Sequence, residues 1–167
     1  MKLTTMISLM LEGMGGTCSI FFLTLLFSLP LGMIVALLRM SKNKVVSNLT
    51  RAVISVLRGT PLMLQLIAVT YGPYYLWQLS VSKNKLIPVV IAFSINYAAY
   101  FAEIYRSGIE SIPAGQYEAA EILGYSKVQT FFRIILPQVI KRIMPSVTNE
   151  VVTLVKDTSM AFTVSYM

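Results

Sequence analysis

The sequence predicts an all-α, polytopic membrane protein folded as a helical bundle. Three observations carry that prediction. Of its 167 residues 56% are hydrophobic and only 13% charged, against about a quarter charged in an ordinary soluble domain. The mean hydropathy is +0.70. The charges are gathered between long uncharged runs rather than spread along the chain, which is the pattern of helices that cross a bilayer and turn outside it.

The first run, residues 13–38, holds no charged residue. Its core, CSIFFLTLLFSLPLGMIVALL, is long enough for a hydrocarbon layer of about 30 Å at about 1.5 Å per residue. That core is too long for a secretory signal, and Lys2 is the only basic residue ahead of it. The second run, residues 59–82, gathers Tyr71, Tyr74, Tyr75 and Trp77 near its far end, where amphipathic rings favour the interface. The third covers residues 86–105 and ends on Glu103, Ile104 and Tyr105. A fourth, residues 143–167, reads as a span although it contains Pro145, Glu150, Lys156 and Asp157.

Basic residues set the orientation. Arg39, Lys42, Lys44, Arg51 and Arg58 follow the first span with no acidic residue among them, which places that connection in the cytoplasm. The turn around Lys83 and Lys85 is then external, and the segment carrying Arg106, Lys127, Arg133, Lys141 and Arg142 is cytoplasmic. The N terminus lies outside. The chain stops at AFTVSYM with no polar tail, which implies a truncated sequence.

Composition also excludes function classes. The formal charge of +7 comes from clustered residues that report orientation, not from an exposed basic surface, so no nucleic-acid partner is expected. There is one cysteine, Cys18, inside an apolar run, where a small buried apolar role is the expectation. There is no histidine, which removes Ser-His and Cys-His dyads and the HExxH zinc motif, while Ser-Lys and Asp-Asp chemistry stays open. No G-x-x-x-x-G-K-[ST] loop is present, so any ATP used must bind another polypeptide.

The cytoplasmic segment IPAGQYEAAEILGYSKVQTFFRIILP, residues 112–137, interrupts the apolar pattern. A helix is predicted from about Gln116, stopped by Gly124 in a left-handed conformation. A second follows from Ser126 as N-cap, and Pro137 ends it or starts the next element. The result is a compact protrusion with Glu118, Glu121 and Lys127 facing water and Ala119, Ala120, Leu123, Phe131 and Phe132 available for contact. Two readings stand: an amphipathic hairpin lying in the headgroups, or a docking element for a partner.

In the fourth span Ser146, Glu150, Thr153 and Asp157 are spaced four, three and four apart and share one helix face. An ionised carboxylate at the bilayer centre costs about 2.5 to 3.5 kcal/mol, so this seam faces protein or a water-filled cavity. It serves either pairing between helices or a substrate site where carboxylates meet a cationic group. Thr17 and Asn96 are further pathway candidates, each with helix-to-helix hydrogen bonding as its alternative. Glu103 and Arg106 form an i,i+3 pair of structural character.

The hairpin then carries a resemblance. Glu118-Ala119-Ala120, Gly124 after three further residues, and Ile134 with Leu136-Pro137 after nine more resemble the EAA loop of the membrane subunits of bacterial ABC importers. The blocks RGTPLMLQL (58–66), AEIYRSGIESIPAGQ (102–116) and LVKDTS (154–159) look like the polar amino acid permease branch. The resemblance implies a type I importer permease fold over residues 13–167, with four spans visible and a fifth missing. It implies that Glu118, Ala119, Ala120 and Gly124 dock the ATP-binding subunit, which binds ATP and magnesium so that this chain needs no cofactor and no catalytic residue. It further implies an extracytoplasmic solute-binding protein, a second permease subunit (identical or paralogous), and a multi-pass place in the lipid bilayer of the bacterial cell membrane. Glu150, as an extra acidic group, suits a basic amino acid such as arginine, lysine or histidine. A stand-alone ion-coupled carrier or channel without an ATPase is the alternative; it uses the same carboxylates but leaves the EAA block without a purpose.

Overall fold

The computed structural model describes residues 3–78 and 85–164, and every element among them is helical. In chain order these are α1 (Leu3–Arg39), α2 (Lys44–Gly59), α3 (Leu62–Trp77), α4 (Leu86–Glu110), α5 (Ala114–Ile122), α6 (Lys127–Thr130), a π turn (Phe131–Ile135), α7 (Leu136–Asp157) and a 3-10 run (Thr158–Val164).

Four uninterrupted spans are not what these residues form. Two helices are long and apolar enough to cross a membrane, Gly13–Arg39 within α1 and Leu86–Glu110, with a third crossing if the pair α2 and α3, bent by 104°, counts as one. The basic connection after the first span, read from sequence as a loop, is helix α2. It is amphipathic, with Val45, Leu49, Val53 and Val56 exposed on one side and Ile54 buried on the other. The expected fourth span is α7 followed by the 3-10 run. α7 is long enough, but Lys141, Arg142, Glu150, Lys156 and Asp157 leave it short of a spanning composition. The turn at Lys83, expected to be external, lies outside the described residues.

α4 is the axis of the bundle, burying Phe93, Tyr97, Ala98, Phe101 and Ala102. Lipid tails are as apolar as leucine, so helices in a bilayer associate through close packing rather than through the exclusion of water. Gly32 of α1 provides such packing: a Cβ there would stand 2.8 Å from the Phe101 Cβ and 3.2 Å from the Ala98 carbonyl oxygen. Further along, Arg39 lies 3.8 Å from Glu103, whose Oε2 also accepts from Arg106 Nη2 at 2.7 Å. Gly32 against Ala98 and Arg39 against Glu103 advance together, so α1 and α4 run parallel. Two parallel crossings in sequence order need a return between them, which α2 and α3 supply. Further along α4, Gly108 admits α7: a Cβ there would meet Ile143 Cγ2 at 2.2 Å. Cys18 is exposed on the outer side of α1 rather than buried, since α1 packs one side against α4 and leaves the other uncovered.

Candidate transport cavity and coupling hairpin

The sharp bend at residues 59–61 follows from local chemistry. Pro61 has no N–H, so the Leu57 carbonyl loses its partner four residues on, and Thr60 is driven into an extended conformation (φ −108°, ψ 142°) by the ring that follows it. Side chains replace the missing backbone bonds. Gln65 Nε2 donates to the Leu57 carbonyl at 2.7 Å and to Thr60 Oγ1 at 2.8 Å. From α4, Asn96 Nδ2 donates to the same Leu57 carbonyl at 3.3 Å and to Gln65 Oε1 at 3.0 Å. Broken helix at membrane depth is tolerated where it is satisfied in this way or lines a cavity.

Here it does both. A cavity of about 410 Å³ is lined by Arg58, Gly59, Thr60, Pro61 and Leu62 from the bend, Asn96, Tyr97 and Tyr100 from the middle of α4, and Glu150, Thr153 and Asp157 from α7. Tyr97 Oη donates to Asp157 Oδ2 at 2.7 Å, which fixes the direction of that carboxylate. The Arg58 guanidinium lies over the Tyr100 ring, 5.0 Å from its centroid. Three of the four residues of the polar stripe thus reach one cavity, whereas Ser146 is exposed and outside its lining. Asn96 lines the cavity while its amide is spent on the bend. Thr17, half-buried on α1, is not among the lining residues. Sequence reasoning missed Arg58, Thr60, Tyr97 and Tyr100 as lining groups. Arg58 and Thr60 stand inside the RGTPLMLQL block, which marks the permease branch without showing that these side chains face a cavity.

The 112–137 segment forms the predicted hairpin. α5 ends in a Schellman closure, with Gly124 at φ +78°, Tyr125 N–H donating to the Ala120 carbonyl at 3.0 Å and Gly124 N–H to the Glu121 carbonyl at 2.9 Å. α6 starts in a capping box: Ser126 Oγ accepts from Gln129 N–H, and Gln129 Oε1 accepts from Ser126 N–H. Of the two roles expected for Pro137, it does not end this helix but stands in the first turn of the next, α7. The backbone widens into the π turn, where Leu136 N–H reaches the Phe131 carbonyl, and continues into α7. The second arm of the hairpin, α6, therefore runs without a break into the helix carrying Glu150 and Asp157. Glu118 and Ala119 are exposed, whereas Ala120 is 1% exposed. Ile122 and Leu123 stand 86% and 72% exposed at the turn, an apolar tip of the kind that marks an interaction surface.

These features define a polytopic helical membrane protein with a charged cavity beside a broken helix and an apolar-tipped hairpin joined to it. Residues 28–165 match the family described as the binding-protein-dependent transport system inner membrane component, and the chain belongs to this family of ABC importer permeases. It is 39% identical over 155 residues to the L-cystine transport system permease protein TcyL of Bacillus subtilis, covering 90% of this chain and 65% of that protein. It is 34% identical over 165 residues to the nopaline transport system permease protein NocM of Agrobacterium fabrum, covering 93% and 68%. The crystal structure of an amino acid ABC transporter with histidines matches with a TM-score of 0.82 at 30% identity, covering 98% of this chain and 77% of that one. The chain thus spans about two thirds of the length of the two permeases TcyL and NocM. In such transporters ATP is hydrolysed in a separate subunit, and the permease makes and breaks no bonds.

Proposed function

We propose that this chain is the permease subunit of an ATP-driven importer that brings polar amino acids, basic ones among them, into the bacterial cell by alternating access. Residues 13–167 are its transmembrane domain, with the N terminus outside and residues 112–137 on the cytoplasmic side. The observation that carries the reading is the cavity of about 410 Å³ at the break between α2 and α3, with Glu150 and Asp157 in its wall. Small-molecule sites run from about 300 to 1,000 Å³, and broken helices surround the substrate in many transporters. The carboxylates suit the ammonium of an amino acid, and the second of them suits the added charge of a basic side chain.

The partners follow from this reading. An ATP-binding subunit, which holds ATP and magnesium, docks on the hairpin through Glu118, Ala119, Ile122 and Leu123. Ala120 and Gly124 give the hairpin its shape. A second permease subunit completes the membrane unit, and an extracytoplasmic solute-binding protein delivers the substrate. Closure of the ATPase moves the hairpin, and α7 carries that motion to Glu150 and Asp157 as a rigid-body shift.

Reconstitution in proteoliposomes tests the reading. Uptake of labelled arginine, lysine, glutamine or cystine should require the ATP-binding subunit and ATP, and Glu150→Gln should reduce uptake of the basic substrates more than that of the neutral ones. Uptake by the permease alone would turn the assignment to an ion-coupled carrier. Equal loss for both substrate classes would remove the role given to Glu150.

A further inference from the structure

We infer that Arg58 is the binding subsite for the α-carboxylate of the transported amino acid, an inference that rests on the importer reading above. Arg58 is the one cation among the described residues that line the cavity, and it shares that cavity with two carboxylates, Glu150 and Asp157. An α-amino acid is a zwitterion, and a wall with a guanidinium on one element and carboxylates on another complements both of its charges.

The state of Arg58 supports the assignment. Among the described residues it forms no ion pair and donates no hydrogen bond; its guanidinium lies over the face of Tyr100 and its charge acts on Glu150 across the cavity. Arg39 and Arg106, by contrast, are engaged with Glu103. A guanidinium held over a ring keeps its planar fork of N–H donors, the geometry that grips a carboxylate through two parallel bonds. Its position is built rather than accidental. Arg58 stands one residue before the bend, and the bend is pinned by Gln65 and by Asn96, which reaches across from α4. Tyr100, which carries the guanidinium, is three residues along α4 from Tyr97, which orients Asp157.

Two consequences follow. The cationic and anionic walls stand on different elements, α2 and α7, so a displacement of α7 changes the gap between Arg58 and the carboxylates and with it the grip on the substrate. Arg58, Gly59 and Tyr100 also line a second cavity of about 460 Å³ whose wall holds Arg39, Arg51 and Arg106 together with Glu103, so that cations outnumber the carboxylate. A carboxylate leaving the first cavity past Arg58 enters surroundings that attract its charge.

The test removes the charge from each partner in turn. The permease in complex with its ATP-binding subunit is placed in nanodiscs without the solute-binding protein, so that selection by that protein does not enter. A labelled amino acid is displaced by its unlabelled form or by its methyl ester, which keeps the ammonium and side chain but has no carboxylate charge. On the wild-type complex the ester should compete about tenfold or more weakly, as expected for loss of a charge-assisted hydrogen-bond pair. In R58Q the amino acid should weaken by a similar factor and the ester should not, so that the two converge. R58K should retain a reduced preference for the free acid, and it decides the matter if R58Q fails to assemble. Equal competition by acid and ester on the wild type, or the full wild-type preference persisting in R58Q, would overturn the assignment. An absence of both saturable binding and ATP-dependent uptake for every amino acid tested would instead overturn the importer reading beneath it.

Discussion

Replacing Gly32 by alanine puts the packing of α1 on α4 to a direct test. The new Cβ would lie 2.8 Å from the Phe101 Cβ, 3.2 Å from the Ala98 carbonyl oxygen and 3.4 Å from the Ala102 nitrogen. Carbon atoms rest at about 3.5–4.0 Å, so α1 must retreat by roughly 0.7–1.2 Å. None of the three atoms is the end of a flexible side chain, so a change of rotamer cannot absorb the contact. Overpacking of this kind costs about 1–3 kcal/mol, while exchanging glycine for alanine inside a helix returns about 1 kcal/mol. A Cβ at Gly15, on the same helix, would meet nothing within 4 Å beyond its chain neighbours and its own helix backbone, and so supplies the matched control. Gly15→Ala should therefore be more stable than Gly32→Ala by about 1–3 kcal/mol. At about 2–4 °C per kcal/mol, that is a gap of roughly 2–12 °C in melting midpoint. Thermal unfolding in detergent, read as loss of the monodisperse size-exclusion peak, measures it. If Gly32→Ala melts at or above Gly15→Ala, the close approach of α1 and α4 is refuted.

Two further outcomes follow from the bend and the hairpin. Gly124→Val forces a β-branched residue into φ +78°, a conformation costing about 1–2 kcal/mol. It should reduce co-purification of the ATP-binding subunit and ATP-dependent uptake together, and normal recovery of both would separate the turn from coupling. Asn96→Leu removes the two donations to Leu57 and Gln65. Interhelical hydrogen bonds in membranes average about 0.6 kcal/mol and reach about 1.7, so the variant should lose about 1 kcal/mol of thermal stability and more than half its uptake. An unchanged uptake rate would show that the bend holds without α4.

The hairpin was the most legible part of the site because its determinants are local. Gly124 as the left-handed stop and Ser126 as N-cap are properties of a few adjacent residues, and both stand where the sequence places them. The continuation through Pro137 was not legible. A proline can open a helix or terminate one, and a π turn depends on what the flanking segments pack against. Likewise Ala119 and Ala120 read alike in the sequence, and only the fold leaves the first exposed and buries the second.

The stripe Glu150, Thr153, Asp157 was visible as a helical period, and the family as a set of ordered motif blocks. The sequence by itself determined the helical membrane class, the hairpin and the acidic face of α7, because hydropathy, caps and periodicity are set within one or a few turns. Only the tertiary structure decided what that face meets. Pro61 frees the Leu57 carbonyl, and Asn96, 39 residues away in the chain, donates to it. The resulting 104° bend delivers Arg58 to the cavity of Glu150 and Asp157. A contact between distant residues carries no period in the sequence, so the pairing of these charges emerges only when α2, α4 and α7 are packed together.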